Sequence, residues 1–100
     1  MNAITDRGYK YLACTADVQV SGVAGTLHTV TITTAASTAG VITLYDSLTE
    51  AGTVIAALRI GTTAEVQMPT TLIFDCAFAT GLYVGYDGTI ADAKITVTYI

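Results

Sequence analysis

His28 is the only histidine in the chain, so any group-transfer site built on an imidazole base must use it. The alternation through residues 28, 30 and 32 places His28 on the side of Val30 and Ile32, toward the core or an interface, and its expected role is structural. Cys14 and Cys76 are the only cysteines, and each reads as a small buried hydrophobe rather than a nucleophile paired with His28. Paired carboxylates could serve glycoside hydrolysis, but Asp46, Glu50, Glu65 and Asp87 fall in expected loops or strand ends, where such groups cap turns or meet water. Asp75 sits mid-strand and is expected to face solvent or to pair with Arg59 or Lys94 across a sheet. One histidine and two cysteines fall short of the four ligands of a structural zinc site. Residues 87–92 have a faint calcium-loop character but lack the further oxygens at alternate positions. No Gly-rich phosphate cradle is present. The sequence therefore predicts no catalytic residue, no metal and no cofactor, and a chain that is not an enzyme.

The elements that would position these residues are strands. Period-two alternation recurs between clusters of Gly, Asp and Ser. It is clearest over residues 26–34, where Thr29, Thr31 and Thr33 oppose His28, Val30 and Ile32, and Leu27 starts on the threonine side. Residues 41–45 form a second run, residues 46–52 read as a loop, and residues 53–60 follow with Val54, Ala56, Leu58 and Ile60 on one face. These two runs predict a hairpin. After Pro69, residues 70–78 place Leu72, Phe74, Cys76 and Phe78 on one face. A short strand over 82–86 and a last one over 94–100 follow, the latter carrying Ile95, Val97 and Tyr99. Residues 9–20 are expected to hold one strand, bent near Asp17. About seven or eight short antiparallel strands point to a single all-β domain, a jelly-roll-like β-sandwich. The expected organisation is an extended N-terminal arm over residues 1–12 and the sandwich over residues 13–100.

Composition narrows the function classes. Hydrophobic residues make up 52% of the chain and charged residues 12%, half the roughly 25% typical of soluble domains. Nineteen threonines keep sheet surfaces wettable without charge. No apolar run approaches the roughly 20 residues of a spanning helix, so membrane insertion is not expected, and apolar surface buried against other chains is. The four basic residues, Arg7, Lys10, Arg59 and Lys94, are scattered in a chain of net charge −4. Nucleic-acid binding needs clustered cations to displace phosphate counterions, so DNA and RNA are excluded as partners. The N-terminus has no secretory pattern, and synthesis in a reducing cytosol is expected, which disfavours a disulfide. Of the six tyrosines, Tyr9, Tyr11 and Tyr99 lie near the chain ends and, with Arg7, are the candidate interface residues.

Residues 25–32 (Gly-Thr-Leu-His-Thr-Val-Thr-Ile), 43–46 (Thr-Leu-Tyr-Asp), 52–56 (Gly-Thr-Val-Ile-Ala), 77–84 and 95–99 together resemble a group of small tailed-bacteriophage virion proteins that includes capsid decoration, or cement, proteins. The resemblance covers residues 22–100 and carries no catalytic residue. It implies a structural role on the capsid surface of a virion, manufacture in the host cytoplasm, the major capsid protein as partner, and a homotrimer matching a three-fold lattice position. A tail, fibre or baseplate module differs only in where it docks. A carbohydrate-binding module, using exposed Tyr rings and loop carboxylates such as Asp46 and Glu50, is the alternative of another class.

Overall fold

A computed structural model describes residues 9–34, 40–60, 70–87, 90 and 93–100. The described residues form eight strands: β1 (Lys10–Cys14), β2 (Val18–Ser21), β3 (Gly25–Thr34), β4 (Gly40–Thr49), β5 (Ala51–Ile60), β6 (Thr70–Phe78), β7 (Leu82–Tyr86) and β8 (Lys94–Tyr99). They form two four-stranded sheets, sheet A in the order β1-β8-β3-β6 and sheet B in the order β2-β7-β4-β5. Every pairing is antiparallel. This order, with the chain crossing between layers at every connection except β4–β5, is that of an eight-stranded jelly roll. The all-β sandwich expected from sequence is what the chain forms. No described helix is long and apolar enough to cross a membrane.

Register explains the core. Leu12, Val97, Val30 and Leu72 line up across sheet A, and Val18, Val84, Leu44 and Ala56 line up across sheet B. With side chains alternating between faces, these rows face one apolar interior, where Val30, Val97, Leu44 and Val84 are buried together with Leu27, Ile42, Ile60, Phe78, Leu82, Ile90 and Ile95. No polar or charged residue is buried among the described residues. β8 lies between β1 and β3, so its Ile95 and Val97 are fully covered, while Tyr99 is half-buried against the core. Lys10 and Tyr99 are register partners, and Ile100 exchanges backbone bonds with Thr26.

Four departures of the described strands from the simple reading matter here. Residues 9–20 hold two strands in different sheets, because the chain turns through residues 15–17. The strand character of residues 46–49 was hidden by Asp and Ser, yet pairing of Asp46 with Thr53 and Thr49 with Ala51 extends β4 and leaves a tight turn. A register shift between Leu27 and Thr29 makes His28 an extra residue in β3 relative to β8. Such a bulge reverses the side-chain phase: Leu27 is buried with Val30 and Ile32, and His28 stands on the outer face instead of toward the core. A second shift, between Leu44 and Tyr45, leaves Ala56, Leu58 and Ile60 inward while Val54 turns out to solvent. The boundary of the sandwich also moves: residues 10–12 belong to β1, and residues 1–8 of the expected arm lie outside the described residues.

The phase assignment makes a direct test. Ile95→Ala removes a fully buried side chain and is expected to cost about 3 kcal/mol of unfolding free energy. Ile73→Ala, on the outer face of β6, changes it by no more than about 0.5 kcal/mol. Urea denaturation of the two variants measures both.

Candidate functional site

The bulge in β3 creates the first cluster. It lifts His28 onto the outer face of sheet A, where its Nδ1 contacts the Asp75 carboxylate of β6. Asp75 has a φ of 46°, the left-handed region that Asp tolerates better than most residues. The Asp75 partner is thus His28, not Arg59 or Lys94. Tyr9, just before β1, lays its ring flat on the imidazole, with centroids 4.0 Å apart and planes 10° from parallel. The carboxylate holds the imidazole as an orienting group does in a catalytic triad. The ring's other neighbour here is an aromatic face, which packs rather than reacts.

The second cluster sits across sheet B. Asp17, in the corner between β1 and β2, accepts a bond from the backbone N–H of Tyr86 at 2.6 Å. Glu50, from the β4–β5 turn, hydrogen-bonds to Asp17. That bond, the repulsion of the Asp17 charge and partial burial hold the Glu50 carboxyl above its ordinary range. Gly85 makes this approach possible: a Cβ there would lie 3.0 Å from Glu50 Cγ and 3.1 Å from Tyr45 Cε1. Tyr45 and Tyr83 meet edge to face at 6.5 Å. Burial, then Asp17 and Glu50, raise the Tyr83 phenol. A third carboxylate is purely an anchor. Asp46 accepts bonds from the backbone N–H groups of Ala79 (2.9 Å), Thr80 (2.8 Å) and Gly81 (3.4 Å). These bonds hold it below the usual carboxylate range and pin the β6–β7 connection to β4.

The cysteines are free. Cys14 is buried in β1, and burial pushes its thiol up to about 11, which removes the thiolate that nucleophilic chemistry needs. Cys76 lies in β6, at the other edge of sheet A. Three strand spacings separate the two, roughly 14 Å, beyond disulfide reach. Tyr86 donates its hydroxyl to the Cys14 carbonyl at 2.9 Å inside the core and ties β7 to β1 across the layers. Burial pushes that phenol to about 12. Among the described residues no three His, Cys, Asp or Glu side chains are grouped to hold a metal ion.

The candidate interface residues do not form one surface. Tyr11 is 74% exposed on the outer face of sheet A, and Tyr9 joins it there through His28. Tyr99 packs inward against the core. Arg7, Glu65 and most of residues 87–92 lie outside the described residues. The Asp17–Glu50 pair had no sequence signal, because its members come from connections far apart in the chain and meet only across sheet B. Comparison with protein-family models, with curated proteins and with solved structures finds no match.

Two pH dependences follow from the carboxylates. Asp46 is depressed in the folded state, so its contribution is complete above its ordinary value of 3.8 and is lost as pH falls through the folded value. Asp46→Asn should lower the thermal midpoint at pH 7, and the gap from the parent should close below pH 3.8. Glu50 is raised, so the folded chain holds its proton more tightly and the parent loses stability as pH climbs above 4.5. Glu50→Gln should therefore raise the midpoint at pH 7 and leave it unchanged below 4.5. Scanning calorimetry across pH checks both.

Proposed function

We propose that this chain is a non-enzymatic virion structural protein of a tailed bacteriophage, of the capsid decoration type. It acts as a homo-oligomer bound to the major capsid protein on the outside of the shell, after synthesis in the host cytoplasm. Its work is mechanical: it bridges neighbouring subunits, buries apolar surface and raises the barrier to rupture. The observation that carries this reading is the exposure of large apolar side chains on the outer face of sheet A, with Tyr11 at 74% and Ile73 at 72%. A chain so poor in charge gains by covering them. The paired His28 and Asp75, stacked under Tyr9 beside the start of the chain, support an anchoring role for the segment before β1. The resemblance of residues 22–100 to phage virion proteins supplies the class.

Eight-stranded jelly rolls serve both capsid and lectin domains, and the fold by itself selects neither. One observation favours the carbohydrate reading as runner-up: Tyr45, Tyr83, Asp17 and Glu50 gather on sheet B, an aromatic and carboxylate combination that suits a sugar. Co-sedimentation separates the readings. The protein should be found in purified virions, map to the capsid exterior, and bind shells that lack it until the lattice positions are filled. Deleting residues 1–9 should leave the far-ultraviolet circular dichroism unchanged and weaken shell binding. Absence from virions, or a glycan-array response abolished by Tyr83→Ala, overturns the proposal. Density on the tail moves the protein to a fibre or baseplate role.

A further inference from the structure

We propose that the outer face of sheet A is the surface through which this chain meets a second copy of itself. The inference rests on the reading above for a homo-oligomer, but it names a two-fold contact between copies in place of the three-fold one that the resemblance implies. Register places Tyr11, Thr98, Thr29 and Ile73 in one row across the four strands, and Ala13, Thr96, Thr31 and Thr71 in the next. The middle of these two rows is small and uniform, the His28–Tyr9 stack stands on β3 beside the first row, and the ends of that first row carry the two most exposed large apolar side chains of the described residues.

Charge decides the occupant. The chain carries −4 overall, so two copies repel unless they meet where carboxylates are few. Among the described residues Asp75 is the carboxylate of this face, and His28 contacts it. Asp17, Asp46 and Glu50 belong to sheet B or to the connections at its ends. A basic partner would be drawn to that opposite, acidic side. A second acidic copy is best met on sheet A.

The pattern is also self-complementary. A two-fold axis lying in the contact plane, parallel to the strands and between β8 and β3, sets Tyr11 of one copy against Ile73 of the other, twice. Desolvation costs little over most of the centre, because five of its threonines bond within their own sheet. Thr29 and Thr98 pair through their hydroxyls, Thr31 and Thr71 do so at 3.0 Å, and Thr33 donates to the Lys94 carbonyl. No hydroxyl of these five needs a partner from the other copy. Four strands about 4.8 Å apart and about six residues at about 3.3 Å each give a footprint of ~400 Å2 per copy, half a standard interface. Association is therefore reversible and concentration-dependent.

Sedimentation equilibrium of the full chain up to ~1 mM tests this with three exposed-site variants, Tyr11→Lys, Ile73→Lys and Val54→Lys. Each keeps the parent circular dichroism, since none of the three positions is in the core. The parent should self-associate, and each sheet A variant should raise the dissociation constant about tenfold or more. Val54→Lys, on sheet B, should match the parent. In a Cys76→Ala background, Tyr11→Cys mixed with Ile73→Cys should cross-link to each other in preference to themselves. A parent that stays monomeric throughout, or a Val54→Lys variant that dissociates as readily as the sheet A variants, overturns the inference. A chain that pairs through this face yet is absent from virions removes the proposed function and leaves the pairing standing. A shell-bound chain that is monomeric in solution does the reverse.

Discussion

Sheet A depends on the placement of β8. That strand pairs with β1 on one side and β3 on the other, so neither the first strand nor the buried row through Val30 has its neighbour until the last strand of the fold arrives. The interior row Leu12-Val97-Val30-Leu72 is assembled from four strands that are distant in the chain, and Val18-Val84-Leu44-Ala56 joins the β4–β5 hairpin to two distant strands. The β4–β5 hairpin is the one local pairing. A topology of this kind forms slowly, because loop-closure entropy is spent before the long-range contacts return it. The polar ties sit where the layers must be held in register. Tyr86 reaches Cys14 across the core, Asp17 takes the Tyr86 N–H, and Asp46 gathers three backbone donors at the β6–β7 connection.

Much of this was legible in the residues. Leu72 to Phe78 and Ile95 to Tyr99 alternate cleanly, and both strands show the inward faces read from them. The hairpin after Gly40 was also readable. What escaped were insertions of a single residue. A bulge leaves no compositional trace, so His28 was assigned the phase of Val30 when it belongs to the opposite face, and Val54 was assigned that of Ala56. Asp46 and Ser47 looked like loop because their intrinsic strand preference is poor, but cross-strand partners outweigh propensity in a sheet. Asp75 was read as a mid-strand residue facing solvent or paired with Arg59 or Lys94, and its partner His28 could be found only once the bulge had turned that ring outward. The Asp17–Glu50 pair is a purely tertiary feature.

The distribution of charge follows from the same economy. With so few ionisable groups, the chain uses its described carboxylates chiefly as partners for its own backbone and side chains, and it leaves one sheet surface to threonine. Threonine suits that surface because the branched side chain favours the pleat while its hydroxyl finds a cross-strand partner. The result is a molecule with two unlike faces. One carries two tyrosines beside Asp17 and Glu50, whose charges repel; the other, among the described residues, has Asp75 paired with His28 and most of its threonine hydroxyls engaged within the sheet.

The register of β1 against β8 has a mechanical corollary. Lys10 and Tyr99 are paired, so the start of β1 and the end of β8 lie at one side of the same antiparallel ladder. A tensile load applied to the two ends meets the ladder bonds one after another, as in opening a zip, and not all together in shear. Resistance to such a pull is low even though the core beneath is well packed. Tension applied across the broad faces instead loads the two sheets as whole layers. The same proximity of ends lets the domain be spliced into a loop of another protein without stretching its host.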